Sequence, residues 1–366
     1  MKILCSKEQL NSALSVVGRA LPSRTPLPVL EGILVEAESD TVRLMATDLR
    51  LGVETTFPAT VLEAGVTVLP GKLLLDVARR LPDGEVEISC EDTTAHLRCQ
   101  GSHTSLQMMA AEEYPALPEV ESSRPIYLDL DTFRDMIRQT VYAASLDESR
   151  PILTGVLLEL KGERLRLVAL DGFRLALRQC SLGEDYGQLQ AVCPAHALSE
   201  IGKIVGGADD KVRLTLTPTH LMAEVEGVRV VTRLLDGEYI KYRQILPAEW
   251  QSRAQVDVKV LSDAIDRAST VAREGRNNLV RLNLSAGEML LSADSEFGKV
   301  QEKVPLTLEG EGLEIAFNAR YLSDMLKNID DEAVYLCFNT NISPCVVRPL
   351  EGADYLYLVL PVRIYA

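Results

Sequence analysis

The chain is 366 residues long, with 46% hydrophobic and 25% charged residues. That length divides into two or three domains, and the composition is that of a folded globular protein, which excludes a disordered or fibrous chain. No apolar run approaches the roughly 18 residues that a membrane helix needs, and the first residues lack a secretory signal, so we expect a cytoplasmic protein. The net charge of −15, taken alone, argues against nucleic acid as a partner.

The first third of the chain predicts a regular order of elements. A short strand at "MKILCS" precedes an amphipathic helix over "SKEQLNSALSVVGRAL", in which Leu10 and Leu14 are four residues apart. Three runs with alternating apolar residues then predict strands, namely "ILVEAE", "TVRLMATD" and "GVETTF". The same order follows again: the strand "VTVLP", a helix with an apolar stripe at Leu74, Val77 and Leu81, and the strands "VEISC", "TAHLRC" and "TSLQMMA".

This plan recurs twice more at a spacing of 123 to 124 residues. The segment "GILVEAESDTVRLMATDLRLGVETTF" from Gly32 returns as "GVLLELKGERLRLVALDGFRLALRQC" from Gly155, and more weakly from Leu279. The second helical stripe returns at Leu198, Ile201 and Val205, and again at Leu322, Met325 and Ile329. An aspartate recurs at the same strand position of each copy, at Asp48, Asp171 and Asp294. We expect these aspartates to cap turns.

The repeats predict an α+β fold with three similar domains, each with two helices packed on antiparallel sheets. Pro70 and Pro194 suit helix starts, and Asn318 is the predicted N-cap in the third copy. Proline and charge cluster at "YPALPEVESSRPIY" and "LPAEWQSRAQ", which gives predicted domains at residues 1–121, 125–247 and 248–366. Identical units joined head to tail either close a ring or continue as a filament.

The sequence resembles the family of bacterial DNA polymerase III beta subunits, the sliding clamps, over essentially its whole length. The resemblance lies in the threefold repeat and in the segments "SRTPLPVL", "LDGFRLAL", "DGEYIKYRQILP" and "YLVLPVR". It implies that the chain is half of a dimeric ring around duplex DNA, with helices lining the hole and sheets forming the rim. It also implies a non-catalytic processivity factor without a cofactor, loaded by a separate ATPase, the clamp loader.

The distribution of charge agrees with that resemblance. The six predicted helices hold fourteen basic and nine acidic residues, a net charge of +5, whereas the rest of the chain carries −20. Basic helices facing DNA bind phosphates without regard to sequence, and a negative exterior repels DNA from the other surfaces. Solvated helix faces that simply carry more lysine and arginine are the alternative explanation. The predicted DNA-binding residues are Arg24, Lys72, Arg79, Arg80, Arg134, Arg138, Arg150, Lys203, Arg267, Arg273 and Arg276.

Simple geometry favours two chains per ring. Six helices side by side at roughly 10 Å enclose a hole narrower than about 20 Å, which is too tight for a hydrated duplex, whereas twelve helices leave room. We therefore expect a closed head-to-tail homodimer, in which the first domain near Leu106 meets the third domain of the partner near Val271.

The resemblance further implies a pocket between the second and third domains that binds short apolar peptides of DNA polymerase subunits, the clamp loader and other partners. Matched residue by residue, this pocket comprises Leu153, Leu170, Gly172, Phe173, Arg174, Leu175, Ile240, Gln244, Ile245, Leu358, Leu360, Pro361, Val362 and Arg363. Aliphatic walls with a few polar groups suit the binding of apolar anchors.

Four features depart from the usual pattern of the family. Leu170 stands where threonine is common, Phe173 where histidine or tyrosine is frequent, and Gln244 where some relatives have arginine. The tail also continues past the usual end with residues 364–366. These changes make the predicted pocket more apolar and shift its peptide preference.

Two other classes of function compete with the clamp as explanations of the sequence. An enzyme is disfavoured because the repeated aspartates lie in separate repeats, and no nucleotide-binding, GxSxG or HExxH motif is present. The seven cysteines form no CxxC pair and are predicted to be small buried residues, and the four histidines ordinary surface or strand residues, so no metal site is expected. A self-assembling structural protein without a role on DNA shares the repeat, but it would lack the charge bias and the apolar pocket.

Overall fold

The computed structural model describes residues 1–121, 124–203, 210–275 and 278–363. Within these residues the chain forms six α-helices and 25 β-strands. Contacts divide it into two compact units, Met1–Phe133 with Glu200–Leu234, and Arg134–Ser199 with Leu235–Ala366. We call these unit 1 and unit 2. The division reflects packing, and the repeat boundaries given above stay a prediction.

The predicted order of strand, helix and three strands occurs six times, and one additional short strand, β5, lies in the first third of the chain. The first third contains β1 (Lys2–Ser6), α1 (Lys7–Val17), β2 (Gly32–Glu38), β3 (Thr41–Thr47), β4 (Leu51–Pro58), β5 (Thr60–Glu63), β6 (Gly65–Pro70), α2 (Gly71–Arg80), β7 (Glu85–Glu91), β8 (Thr94–Cys99) and β9 (Ser102–Gln107). The middle third contains β10 (Ile126–Asp129), α3 (Leu130–Val141), β11 (Gly155–Lys161), β12 (Arg164–Leu170), β13 (Arg174–Ser181), β14 (Gln188–Pro194), α4 (Ala195–Ile201), β15 (Lys211–Leu216), β16 (His220–Val225) and β17 (Val228–Arg233). The last third contains β18 (Ser252–Asp257), α5 (Val258–Ala272), β19 (Leu279–Ser285), β20 (Glu288–Ser295), β21 (Gly298–Glu309), β22 (Glu314–Asn318), α6 (Ala319–Leu326), β23 (Ala333–Phe338), β24 (Cys345–Pro349) and β25 (Tyr355–Val359). The α+β fold class is thereby confirmed.

Side-chain caps explain where several helices begin. Ser6 Oγ accepts a hydrogen bond from Gln9 N at 3.1 Å at the start of α1, and Asp257 Oδ1 accepts from Val260 N at 2.8 Å at the start of α5. Asn318, the predicted N-cap of α6, accepts from Arg320 N at 3.0 Å, so that prediction is confirmed. The helices are shorter than predicted at their C-terminal ends, and Val205 lies outside the described residues.

Unit 1 contains two antiparallel sheets. One has the strand order β5-β1-β7-β8-β9, and the other has the order β10-β15-β16-β17-β4-β3-β2-β6. Leu10 and Leu14 of α1 and Leu74 of α2 are each at most 2% exposed, so the predicted apolar stripes face the core.

Unit 2 contains one antiparallel sheet of twelve strands, in the order β14-β11-β12-β13-β25-β24-β23-β18-β21-β20-β19-β22. Helix α5 buries Leu261 and Ile265, which are four residues apart on one face and are 3% and 0% exposed. The antiparallel pairing of β13 with β25 matters for the site, because it places the turn before β13 next to the residues that follow β25.

The repeated aspartates behave differently in the three copies. Asp48 Oδ1 accepts from Arg50 N and Leu51 N at 2.8 and 2.7 Å, and Asp171 caps the corresponding turn of the second copy in the same way. Both turn-capping predictions are confirmed. Asp294 instead lies inside β20 opposite Lys299, with their charged groups 3.5 Å apart, because β20 continues one residue beyond it. The prediction was wrong for the third copy.

Candidate functional site

The predicted peptide-site residues all belong to unit 2, where four of them share one apolar cluster. Leu153, Leu170, Leu175 and Leu358 are 2 to 3% exposed within this cluster, and Leu360 packs against it while partly exposed. The surface above it carries larger apolar groups that solvent reaches: Phe173 is 55% exposed, and Ile240 and Ile245 are 41% and 40% exposed. The leucines therefore form a floor, and these three exposed apolar side chains offer area that a ligand could cover.

The turn between β12 and β13 presents Phe173 to solvent. Asp171 Oδ1 accepts hydrogen bonds from Phe173 N and Arg174 N at 2.8 and 3.0 Å, which tightens the turn. Gly172 has a φ of +96°, a conformation that other residues adopt only with strain. The carbonyl oxygen of Phe173 accepts from Leu360 N at 2.8 Å, so the turn is joined to the chain that follows β25.

Arg174 is buried beneath this surface and its charge is already paired. Its Nε donates to Asp171 Oδ2 at 3.0 Å and its Nη1 donates to Asp324 Oδ2 of α6 at 2.7 Å. The guanidinium carbon lies 5.5 Å from the centre of the Tyr142 ring and 4.8 Å from that of Tyr321, which adds cation–π attraction. The side chain is 10% exposed, so Arg174 supports the site from below.

Tyr321 and Asp324 are residues of this region that the sequence reasoning missed. The ring of Tyr321 stacks on Phe173 with centroids 6.0 Å apart and an interplanar angle of 18°. Tyr321 and Asp324 both lie on α6, beside the apolar stripe from which the helix is predicted. An aromatic residue next to that stripe was the available signal.

The segment between β17 and β18 supplies the remaining predicted residues. Tyr239 and Tyr242 are buried in the apolar cluster, while Ile240, Gln244 and Ile245 are exposed. Tyr242 Oη and Arg243 Nη2 both donate to Glu159 on β11, which was not predicted. Pro361 and Val362 are partly exposed, Arg363 is exposed, and Val362 N donates to Ala316 O at 2.8 Å. Residues 364–366 of the tail lie outside the described residues.

The predicted DNA-binding residues fall into two groups. In the first, the side chains are exposed and have no ionic partner in the described part of the chain: Arg24, Lys72, Arg79 and Arg273. In the second, a carboxylate partner is present: Arg80 with Asp76, Arg138 with Asp135 and Asp330, Arg150 with Asp147, Lys203 with Glu200, and Arg267 with Glu302. Arg134 is half-buried, and Arg276 lies outside the described residues.

Helix α2 shows the clearest basic face. Gly71, Leu74 and Ala78 are its buried residues, whereas Lys72 and Arg79 are exposed. Residues seven apart lie on the same face of a helix, so these two cations point the same way. Since many other helix cations are paired internally, the +5 charge counted from the sequence overstates the charge that is available to a phosphate backbone.

The two predicted dimer residues have different surroundings. Leu106 is 2% exposed, because it points into unit 1 from β9, and its side chain cannot contribute to an interface in this structure. Strand β9 itself is at the edge of its five-stranded sheet. Val271 is partly exposed near the end of α5.

The described residues contain no group of three or more histidine, cysteine, aspartate or glutamate side chains that could hold a metal ion. All seven cysteines are free, and five are buried. Burial raises the pKa of the Cys5 thiol to about 12 and that of Cys337 to about 11, which leaves both thiols protonated at neutral pH. None of the described helices combines the length and apolar character that crossing a bilayer would take.

Comparisons with known proteins give a consistent result along the chain. Three family models match it in order: the N-terminal domain of the DNA polymerase III beta subunit at residues 1–118, the central domain at 127–241 and the C-terminal domain at 243–363. The chain is 35% identical to the beta sliding clamp of Synechococcus elongatus and 33% identical to that of Bacillus subtilis, with all of both chains covered in each case.

Solved structures agree with these relatives. The DNA polymerase sliding clamp of Bacillus subtilis has a TM-score of 0.96 at 32% identity, over the full length of both chains. A sliding clamp from Pseudomonas aeruginosa bound to griselimycin has a TM-score of 0.94 at 26% identity, again over the full length of both. The chain therefore belongs to the DNA polymerase III beta subunit family, the sliding clamps of DNA replication.

Proposed function

We propose that this sliding clamp encircles duplex DNA as a head-to-tail homodimer and tethers DNA polymerase III and other DNA enzymes through short apolar peptides. The observation that carries this proposal is the sixfold order of strand, helix and three strands, which fills the chain with equivalent units. Equivalent units joined head to tail suit a closed ring. The three domains would be residues 1–121, 125–247 and 248–366, a division supported by the ranges of the three family models.

The interaction with DNA is proposed to be electrostatic and independent of sequence. Lys72 and Arg79 on α2 and Arg273 after α5 have no carboxylate partner in the described chain, so they are available to phosphates. A small number of such contacts gives weak, salt-dependent binding that permits sliding. The paired cations, such as Arg267, would contribute less unless DNA displaces their carboxylates.

The dimer is proposed to form between open strand edges. Strand β9 is an edge strand in unit 1. In unit 2, residues 298–305 of β21 pair with β20 on one side and with no second strand among the described residues, because β18 pairs with the later residues 306–309. Unpaired strand edges readily join a strand of another chain. In the first domain, the proposed contact is therefore the backbone of β9 and not the buried side chain of Leu106.

The peptide site is proposed to lie on unit 2, over the leucine floor and between Phe173, Ile240 and Ile245. These exposed apolar side chains supply the area that an apolar peptide would bury. Griselimycin is bound by the Pseudomonas aeruginosa relative, and we propose that it also binds this chain. The protein is proposed to act in the cytoplasm and to catalyse no reaction itself.

Retention on DNA of different topology tests the function. The purified clamp would be loaded on nicked circular DNA with a clamp loader and ATP, separated by gel filtration, and then linearised by a restriction enzyme. A ring stays on the circle and leaves after linearisation, because it slides off the free ends. Equal retention on both forms indicates an ordinary DNA-binding protein, and no retention on either indicates a structural assembly without a role on DNA.

A further inference from the structure

Glu159 of β11 is a buried carboxylate that collects four side-chain donors. Its oxygens accept hydrogen bonds from Gln190 Nε2 at 2.8 Å, Tyr242 Oη at 3.0 Å and Arg166 Nη1 at 3.2 Å, and also from Arg243 Nη2. The side chain is only 4% exposed. Burial alone would raise the pKa of this carboxyl, but the donors outweigh it and lower the pKa to about 2. Glu159 is therefore ionised throughout the physiological range.

Two of these donors belong to the segment that carries Ile240 and Ile245, two of the three exposed apolar side chains of the proposed peptide surface. Tyr242 N donates to Ile240 O at 2.7 Å, and Ile245 N donates to Tyr242 O at 3.0 Å. The backbone positions of Tyr242 and Arg243 therefore determine where the side chains of Ile240, Gln244 and Ile245 lie. Since Arg243 also lies over the Tyr242 ring, with its guanidinium carbon 4.8 Å from the ring centre, the two donors form one unit.

The first copy of the repeat provides an internal comparison. Glu36 is the counterpart of Glu159, 123 residues earlier, and it pairs with Arg43 as Glu159 pairs with Arg166. Its side chain is 31% exposed, against 4% for Glu159. Both strands are thus built alike, and the glutamate of the second copy is enclosed far more completely.

The segments that follow the two copies explain this difference. Tyr114 donates to Gly32 O at 3.1 Å, and its counterpart Tyr239 donates to Gly155 O at 3.4 Å, so both segments are fixed at the same point. Three residues later, the first copy has Leu117 where the second has Tyr242. Leu117 packs over Gly52 so closely that its Cδ2 occupies the space that a Cβ of residue 52 would need. Residue 52 corresponds to Leu175 of the proposed peptide site. The first copy thus covers this position with its own leucine.

We propose that Glu159 is a positioning residue for partner binding: by holding Tyr242 and Arg243 it fixes the segment 236–246 so that Ile240, Gln244 and Ile245 face the bound peptide. The proposal rests on the peptide site proposed above. Glu159 itself does not touch the peptide. Its effect passes through the backbone hydrogen bonds between Tyr242 and the two isoleucines.

A purely structural role makes a different prediction. Removing one partner from a buried ionic cluster destabilises a protein wherever the cluster lies. A loss of stability alone therefore does not distinguish the two roles. Only the positioning role requires that ligand affinity falls in a chain that remains folded, and that it recovers when a cation is restored at residue 243.

Calorimetric titration with griselimycin, together with thermal unfolding, tests this on the full-length chain. The variants are Glu159→Gln, Arg243→Met, Arg243→Lys and Tyr242→Phe, with Glu36→Gln as the matched control from the first copy. We expect Glu159→Gln and Arg243→Met to weaken binding about tenfold or more, Arg243→Lys to recover most of that loss, and Glu36→Gln to bind as the original chain does. If Glu159→Gln does not fold, Arg243→Met and Tyr242→Phe carry the same test, since each removes one donor and leaves the others.

Folded Arg243→Met and Tyr242→Phe variants that bind within twofold of the original chain would overturn the positioning role and leave the peptide site intact. An equal loss of affinity in Glu36→Gln would also overturn it, because the effect would then be general. If the original chain does not bind griselimycin, or if Phe173→Lys binds it unchanged, the proposed site itself is wrong. The two failures are therefore distinguishable.

Discussion

The guanidinium of Arg174 donates a hydrogen bond of 2.7 Å to the carboxylate of Asp324, 150 positions later in the chain. This contact joins the start of β13 to α6. Because Tyr321 of the same helix stacks on Phe173, the ion pair also sets where the exposed aromatic surface lies. One partly buried contact thus connects the chain's fold to the shape of the candidate site.

We expect Asp324→Asn to destabilise unit 2 and weaken griselimycin binding. Arg174 would keep Asp171 but lose the charged partner on α6, and the loss of one partner by a largely buried cation costs about 1–3 kcal/mol. Urea unfolding and calorimetry measure both effects. Asp263→Asn is the control, because its i, i+4 pair with Lys259 is exposed and such pairs contribute about 0.5 kcal/mol or less. Equal effects of the two substitutions would contradict the role given to Asp324.

Phe173→Lys is expected to abolish griselimycin binding in a folded chain. Phe173 is 55% exposed, so a lysine there reaches water while it removes the apolar contact. Leu175→Lys is unsuitable as a test, because Leu175 is 2% exposed and a buried lysine would disrupt the core. Leu62→Lys, at a residue of unit 1 that is 56% exposed, is the control for adding a surface lysine. Unchanged binding by Phe173→Lys would refute the location of the site.

Removal of residues 360–366 is expected to weaken binding as well. The deletion removes the hydrogen bond from Leu360 N to Phe173 O and the one from Val362 N to Ala316 O. The turn that presents Phe173 would keep the pairing of β13 with β25 but lose its hydrogen bond to the chain that follows β25. Calorimetry should show a loss of at least tenfold, while retention on nicked circular DNA stays unchanged. A truncated chain that binds griselimycin normally would exclude the tail from the site.

Local features of the sequence predicted much of the fold. The order of strands and helices, the cap at Asn318 and the turns at Asp48 and Asp171 depend on residues within a few positions of one another, and all were correct. Ion pairing could not be predicted in this way. Arg138 was expected to face DNA, but it also donates to Asp330, 192 positions away, and no local pattern contains such a contact.

The double substitution Lys72→Glu with Arg79→Glu is expected to shorten retention on nicked circular DNA, most strongly at low salt, where phosphate contacts are least screened. Both side chains are exposed on one face of α2 and lack an ionic partner in the described chain, so reversing them adds repulsion towards phosphates. Lys161→Glu with Arg164→Glu changes the net charge equally on the β11–β12 hairpin and serves as the control. If both double substitutions shorten retention equally, the effect comes from the total charge of the chain and not from the basic face of α2.

The contribution of Glu159 to stability is expected to disappear in acid. The pKa of Glu159 falls from its ordinary 4.5 to about 2 on folding, so its stabilising effect is complete above about pH 5 and is lost as the pH falls towards 2. Urea unfolding of the original chain and of Glu159→Gln at pH 7, 5, 4 and 3 isolates this residue from other carboxylates. The difference in unfolding free energy should be constant from pH 7 to 5 and shrink below that. A difference that grows in acid would mean that the carboxyl is protonated in the folded chain.

Phe297→Asp is expected to weaken the proposed dimer. Phe297 is 82% exposed in the turn between β20 and β21, at the start of the open edge of β21. This turn lies beside the end of α5, because a Cβ on Gly275 would be 2.9 Å from Asp294 O and 3.8 Å from Ser295 Cβ. An exposed phenylalanine there would be covered by the partner chain, and burying an aspartate in its place costs several kcal/mol. Sedimentation at micromolar concentration should show monomers, whereas Phe173→Lys, on the peptide surface, should leave the dimer intact. A Phe297→Asp chain that remains dimeric would place the interface elsewhere on unit 2.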